Sequence, residues 1–512
     1  WGIEQLSELF FVLEIAPRLR SGWQNKKSEC DSPTLVVTPE NKSSLFKVYF
    51  GLLIIFVAYH LLYFFMQESK KIAVVGSGLV GSLLAIYLKK AGHTVHVFDR
   101  SPDIRNIEFS GRSINLVMSN RGWKALEDIG LDDEIRKIGI PVDKRAIHMT
   151  DRSLNYQYYG KEGEAIFSLS RGILNRKMID LAEAAGVEFF FEHKIWDVTL
   201  SDATLHIGET ERGEWEELQY DLVFGSDGAF SRVRHRMQRQ SMFNYSQEFL
   251  KIGYKELHIP ANPDGTHKLD KNSLHIWPRG DYMLMALANT DGSFTCTLFM
   301  PHEGENSFEN LKDKETLEAY FAEHFPDTAD VIPDLVQDFF KNPTSFLVTM
   351  KCFPWTYEDK VALIGDACHA IVPFYGHGMN AGFEDITILN EMMQKYGNDW
   401  ETIFKEYETS RKPNADAIAD LSYRNFMEMS SKTADQKFLL QKKIEKWFSE
   451  KHPDKWLPLY SRVTFSLRPY SEALALGNQQ NAIMEEVMKI KNIETLWNSE
   501  VVENKIIDLL GW

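Results

Sequence analysis

The sequence predicts a mixed α/β (α+β) chain: a parallel-strand domain, an antiparallel-sheet domain and a helical C-terminal region. Three observations predict it. Ile72–Val75 is a continuous apolar run of the length of a buried parallel strand, and a glycine-rich loop follows it at once. The middle of the chain holds several short runs rich in β-branched and aromatic residues, such as LHIWP and FTCTLFMP. From Arg411 onward the apolar spacing is helical.

Taken in chain order, residues 1–45 form a tail, and 46–66 are a candidate membrane span. Val48–Met66 contains one strongly polar residue, His60, and as a helix would cover about 28 Å, enough for a bilayer core. Such an anchor would leave the catalytic part in the cytoplasm. Lysines stand on both sides of the stretch (Lys42 and Lys47, then Lys70 and Lys71), so charge does not set its orientation.

The segment Lys71–Arg100, KIAVVGSGLVGSLLAIYLKKAGHTVHVFDR, places Gly76, Gly78 and Gly81 directly after the first strand. Ser82–Lys90 then has helical periodicity, and Val95–Phe98 forms a second strand closed by Asp99. This is a dinucleotide fingerprint in its required setting: Gly76 makes the tight turn, Gly78 admits a pyrophosphate, and Gly81 lets helix and strand pack closely. Asp99 stands where an acidic group binds adenosine ribose hydroxyls. The parallel-strand domain is therefore Rossmann-like.

Two later segments separate the candidate dinucleotides. In Tyr220–Arg234, YDLVFGSDGAFSRVR, strand Leu222–Phe224 runs into Gly225-Ser226-Asp227-Gly228 and a basic helix start. In Leu363–Asp385, LIGDACHAIVPFYGHGMNAGFED, strand Val361–Ile364 leads to Gly365-Asp366, a loop with Pro373, Gly376 and Gly378, and a helix over Met379–Glu391. Asp366 can accept hydrogen bonds from a polyol chain. The helix start at Met379-Asn380 offers unpaired N–H groups to a carbonyl gaining negative charge. These features suit an isoalloxazine ring with its ribityl tail, which favours FAD over NAD.

The three motifs in this order resemble the FAD-dependent aromatic hydroxylases, the group A flavoprotein monooxygenases. Gly111–Leu131, Leu274–Arg279, Phe294–Pro301, Val336–Phe340, HAIVPFYGHGMNAGFED and Pro458–Ser466 are similar to the kynurenine 3-monooxygenase family in particular. The likeness covers about Glu68 to Ala475. It implies bound FAD, transient reduction by NADPH, and reaction with O2 to a flavin C4a-hydroperoxide that hydroxylates L-kynurenine to 3-hydroxy-L-kynurenine. The implied pathway is tryptophan degradation towards quinolinate and NAD.

The resemblance assigns FAD contacts to Gly76, Gly78, Leu79, Val80, Gly81, Asp99, Arg100, Arg171, Asp366, Gly378, Met379 and Asn380. It assigns the substrate carboxylate to Arg145 and Tyr159, and further substrate contacts to Asn425 and Tyr460. Within YQYYG, strand alternation lets only one of Tyr158 and Tyr159 face the pocket. Phe374 and Tyr375 fall where the family places aromatics over the ring. No acid/base residue and no metal are implied, and His369 reads as a structural hydrogen-bonding residue. The chain departs from the family pattern at His377 (usually glutamine), Asp99 (often glutamate) and Cys368 (commonly alanine).

The resemblance also implies domains. The FAD-binding domain is expected to be discontinuous, over 68–140, 160–245 and 350–410. A substrate domain of mostly antiparallel strands takes 141–159 and 246–349, with TLHIG, IGYKELHIP, LHIWP, YMLMALAN and FTCTLFMP as its strands. Residues 411–512 are helical and close the pocket. A net charge of −16 argues against nucleic-acid binding. Cys30, Cys296, Cys352 and Cys368 lack the spacing of a disulfide framework and suit a reducing compartment. Oligomeric state is not encoded in these patterns. Two other readings fit part of the pattern: a membrane-associated FAD hydroxylase of another aromatic or lipophilic substrate, and a flavin redox sensor that does not hydroxylate. Neither needs a carboxylate clamp.

Overall fold

The computed structural model describes residues 68–512 apart from 108–114, 162, 209–213, 430–434 and 512. The apolar stretch 46–66 and the tail before it lie outside the described residues. Among the described residues, no helix is long and apolar enough to cross a membrane.

Glu68–Trp512 forms one compact unit built on two large sheets. The first has six strands in the order Thr356–Tyr357, Val361–Leu363, Leu222–Gly225, Lys71–Val75, Thr94–Phe98 and Glu188–Phe190. All neighbours are parallel except Thr356–Tyr357 against Val361–Leu363. Ile72–Val75 and Leu222–Gly225 are buried along their lengths, as parallel strands covered on both faces must be. Three motifs far apart in sequence thus end at one sheet edge. The carboxyl ends of Lys71–Val75, Leu222–Gly225 and Val361–Leu363 carry the Gly76, Ser226-Asp227 and Gly365-Asp366 turns.

The second sheet has seven strands, in the order Ser345–Phe353, Asn244–Ile259, Phe294–Pro301, Met283–Ala288, Ser273–Pro278, Lys144–His148 and Leu154–Tyr158. It is antiparallel except where Ser273–Pro278 runs parallel to Lys144–His148. Its two faces follow from period-two alternation. Trp277, Leu284, Phe294, Cys296 and Leu298 pack outward against helices Lys314–His324 and Leu335–Lys341. Ile147, Leu274, Ile276, Met283, Leu287 and Phe299 point to the other side, against Phe374, Phe426 and Met429. That second face roofs the site.

Two details differ from the sequence reading. TLHIG does not join the large antiparallel sheet: Thr204–Ile207 lies between Ile195–Thr199 and Glu216–Gln219 in a separate three-stranded sheet. Strand composition tells that a segment pairs but not with which partner. Position 411 is also no break, because one helix runs unbroken over Trp400–Met427. Helices Gln436–Lys451, Leu459–Thr464 and Tyr470–Val487 follow it.

Candidate functional site

The glycine loop is fixed by contacts a side chain would destroy. Gly76 has φ +108°, in the left-handed half of conformational space, and a Cβ there would lie 2.6 Å from the Ser226 carbonyl oxygen. A Cβ on Gly81 would come within 2.0 Å of the Gly76 carbonyl oxygen and 2.5 Å of Ser226 Oγ. Gly78 is different: a Cβ there meets no protein atom within 4 Å, so its bare backbone faces open space. Helix Leu79–Lys90 starts beside it with no acidic residue in its first turn and with Lys89 and Lys90 in its last. Its N-terminus keeps its positive dipole end for an anion.

Asp99 lies beside this loop. One carboxylate oxygen accepts from the Ser77 backbone N–H (2.8 Å) and the Ser77 hydroxyl (2.7 Å), and the other from the Ser101 N–H (2.8 Å). From the neighbouring strand, Asp227 accepts from the Arg232 N–H at 2.6 Å, while its second oxygen is buried with no partner. Desolvation raises the Asp227 pKa. Arg234 donates to the Ala367 and Ala229 carbonyls, clamping the Asp366 turn to the Asp227 turn.

Gly365 takes a positive φ of 62° and packs on Val80, which also touches the position of a Gly382 Cβ. Asp366 follows, open to the cavity but set deep in the protein. Desolvation raises its pKa, and the nearby Arg171 charge opposes the rise. Helix Arg171–Ala184 begins at that arginine. Helix Gly378–Tyr396 starts without a side-chain cap and without acidic residues in its first turn.

One cavity of about 440 Å³ runs past these groups. It is lined by Gly76, Gly78, Leu79, Val80, Asp99 and Arg100 at one end, and by Arg171, Asp366, Gly378 and Met379 in the middle. At its far end stand Arg145, Tyr159, Phe374, Tyr375, Asn425 and Tyr460. Two expected contacts do not line it. Gly81 is buried against Gly76 and Ser226, where its role is close packing. The Asn380 side chain is consumed by the protein, accepting from the Ser119 N–H and donating to the Val117 and Gly376 carbonyls. Only its backbone stands at the helix start. A cradle with one bare glycine, a helix N-terminus, an acid at each end and an orphaned Asp227 oxygen fits FAD.

The far end is a layered wall of phenols. Tyr460 stacks between Tyr159 (4.9 Å, 13°) and Tyr375 (5.5 Å, 15°). The Arg145 guanidinium lies 5.2 Å from the Tyr159 ring and 4.9 Å from the Tyr460 ring. Arg145 Nε and the Tyr159 hydroxyl are buried without a partner of hydrogen-bond geometry, although these groups are near enough to affect one another's ionisation. Burial pushes Tyr159, Tyr375 and Tyr460 up, so all three are neutral donors at physiological pH. Tyr158 points to solvent, 63% exposed, which settles the choice within YQYYG for Tyr159. Asn425 uses its amide N–H to hold the Phe374 carbonyl at 2.7 Å, and Phe374 packs on Phe426 and Phe299.

Behind the flavin-loop segment runs a buried polar chain. His369 bonds Asp385 at 2.6 Å, Arg411 Nε bonds the other Asp385 oxygen at 2.8 Å, and Glu384 bridges Arg411 to Arg121. His369 is therefore a structural partner of Asp385, as read from sequence. Cys368, His369 and Asp385 bring three ligand-type atoms together, but the Arg411 charge on the same carboxylate opposes a cation.

His377 joins this region to the C-terminal helices through the Tyr470 hydroxyl at 2.8 Å. Burial lowers its pKa to about 3. An unfolded histidine takes up a proton below about pH 6.5, which the folded one refuses, so stability falls as pH drops through that range. At pH 5 this one group should cost about 2 kcal/mol. Denaturant unfolding at pH 7 and pH 5 should show a smaller loss for His377→Gln than for the wild type; equal losses would remove His377 as the cause.

The FAD binding domain family matches residues 69–422. A kynurenine 3-monooxygenase of Flavobacterium johnsoniae is 78% identical over 445 residues, 87% of this chain and 100% of that protein. The chain belongs to the kynurenine 3-monooxygenase family. The family's enzyme from Dictyostelium discoideum is 40% identical over 82% of this chain and 94% of its own length. Among solved structures, 2-methyl-3-hydroxypyridine-5-carboxylic acid oxygenase superposes with a TM-score of 0.60 at 20% identity, over 73% of this chain and 96% of that one, which supports the fold.

Against the family motif, sequence reasoning missed Asp227 and Arg234 as site-building residues. The signal was present in GSDGAFSRVR, but a turn aspartate there reads equally as a helix cap. The roof residues Thr295, Thr297, Met285 and Phe299 were also missed, since nothing in a strand's sequence says which face meets a ligand.

Proposed function

We propose that this chain hydroxylates L-kynurenine at ring position 3, consuming NADPH and O2 and forming 3-hydroxy-L-kynurenine, with FAD held in the cavity described above. The observation that carries the substrate is the pair of orphaned donors, Arg145 Nε and the Tyr159 hydroxyl, at the end of the cavity remote from the glycine loop. A carboxylate satisfies both at once, and the planar guanidinium grips it through parallel hydrogen bonds that lysine cannot reproduce.

FAD supplies electron transfer from NADPH and the activation of oxygen. The chain's own residues bind and orient. Gly78 and the start of helix Leu79–Lys90 take the diphosphate, Asp99 and Arg100 the adenosine end, Arg171 and Asp366 the polyol. The backbone N–H groups of Gly378, Met379 and Asn380, at the uncapped start of their helix, would be the donors for the ring carbonyl. Arg145 and Tyr159 fix the amino-acid end of the substrate, Asn425 and Tyr460 its flank, and Phe374 and Tyr375 the aromatic ring. The Phe299, Leu274 and Met285 roof excludes water, which limits loss of activated oxygen as peroxide. No side chain needs to act as acid or base, since the ring amino group activates its own ortho carbon.

On this reading, residues 68–140, 160–245 and 350–410 hold the cofactor and 141–159 with 246–349 roof the substrate. Every residue invoked lies between 68 and 512, so a tether through 46–66 would be separate from the chemistry. Purified protein with FAD and NADPH should oxidise NADPH faster when L-kynurenine is added, with about one product molecule per NADPH. NADPH loss yielding peroxide alone would mean another substrate, and bound FAD with no stimulated oxidation would favour the redox-sensor alternative.

A further inference from the structure

The tyrosine wall has a second side. Beyond it lies a larger chamber of about 1060 Å³, bounded by strand Leu154–Tyr158, the end of helix Trp400–Met427, and helices Gln436–Lys451 and Leu459–Thr464. Arg145, Tyr159, Tyr375, Asn425, Met429 and Tyr460 line both spaces. The wall between them is thus made of the same residues that grip the substrate.

The outer chamber carries charge of both signs. Lys442 stands in it, paired to Glu445 at 3.0 Å. Glu445 is anchored a second time by Gln441 at 2.8 Å, and of the three ammonium protons of Lys442 one serves Glu445. Glu428 caps the end of helix Trp400–Met427, half-buried, close enough for its charge to act on Lys442 and Tyr375. Asn425, Glu428 and Met429 sit at i, i+3 and i+4, so one helical face presents all three to the chamber. The exposed Lys443 and Lys446 on its rim connect it to solvent.

We propose that this outer chamber is a second binding site, for the zwitterion of an α-amino acid, through which the substrate reaches Arg145. Glu428 receives the ammonium group and Lys442 the carboxylate. Arg145, which borders both chambers, then takes over the carboxylate as the Tyr159–Tyr460–Tyr375 stack parts. The identity of the amino acid rests on the function proposed above; the charge pattern of the chamber does not. A lipophilic ring alone would find no use for a carboxylate and an ammonium group on its entry path.

The test compares wild type, Glu428→Gln and Lys442→Gln with L-kynurenine and with its desamino analogue, which keeps the carboxylate but lacks the ammonium group. Glu428→Gln should lower kcat/KM for L-kynurenine about fivefold, mostly through KM, and leave the analogue's kcat/KM at the wild-type value. Glu428→Asp should restore most of the loss. Lys442→Gln should lower kcat/KM for both compounds. Equal effects of Glu428→Gln on the two compounds, or no effect on either, would overturn the outer site while wild-type turnover still upheld the functional reading. A wild type indifferent to L-kynurenine would overturn that reading first, and the amino-acid transit with it.

Discussion

Arg145→Ala is expected to lower kcat/KM for L-kynurenine by about two to three orders of magnitude while FAD content stays at the wild-type level. Removing one partner of a buried, hydrogen-bonded charge pair costs about 2–5 kcal/mol, and each 1.4 kcal/mol is about tenfold. Arg145 reaches its place through register: it pairs with Leu274 and Gln157 across two strands, which aims its side chain at the roofed face. There its guanidinium lies 5.2 Å from the Tyr159 ring and 4.9 Å from the Tyr460 ring that stacks on it. Nothing in the glycine loop touches it, so the cofactor end should be unaffected. Arg145→Lys keeps the charge but loses the fork and should recover little. Steady-state kinetics with flavin absorbance decides the matter. A loss below about tenfold would place the carboxylate elsewhere in the cavity.

The second large effect belongs to the glycine loop. Gly81→Ala should yield protein that melts at a clearly lower temperature and purifies with little flavin. Its Cβ would sit 2.0 Å from a backbone oxygen, which no rotamer change relieves. Overpacking of this kind costs about 1–3 kcal/mol or more, and here it displaces the loop that cradles the cofactor. Gly78→Ala is the informative contrast. Its φ of −64° suits any residue, and its Cβ meets no protein atom. The apoprotein should melt as the wild type does, yet bind FAD at least tenfold more weakly, because the methyl group occupies the space the diphosphate needs. If both variants lost stability equally, Gly78 would be a structural glycine and the cradle would lie elsewhere.

These two residues also show what the sequence reveals and where it stops. Gly76, Gly78 and Gly81 are legible because backbone chemistry is local: a strand, a turn and a helix start lie within ten residues. The same holds for Gly365-Asp366, whereas Arg171 is named by likeness to the family. Arg145, Tyr159, Asn425 and Tyr460 have no such local logic. Four elements far apart in the chain bring them together, and only likeness to a family named them. Asn380 shows a different limit: it is read for its backbone N–H at the helix start, and its side chain serves Ser119, Val117 and Gly376, which the motif does not state. Residue type and position do not state which way a side chain turns. TLHIG fails for a related reason, since strand propensity is silent about partners.

His377 marks a chemical departure from the family that the fold absorbs. An imidazole with Nδ1 facing Tyr470 and Nε2 near Thr464 can hold the geometry of a glutamine amide, at the cost of sensitivity to acid. The Arg121–Glu384–Arg411–Asp385–His369 chain beside it ties the helix starting at Gly378 to the C-terminal helices, through the Arg468 carbonyl and the Tyr470 ring. The loop over the flavin site is thereby braced from behind by charges of which all but the partly exposed Glu384 are buried.

The most direct test of the account is the origin of the new oxygen atom. Protein, FAD, NADPH and L-kynurenine under 18O2 should give 3-hydroxy-L-kynurenine two mass units heavier than under ordinary oxygen, in proportion to NADPH consumed. Unlabelled product, or no product beside ordinary NADPH loss to peroxide, would contradict the assignment of this cavity to L-kynurenine hydroxylation.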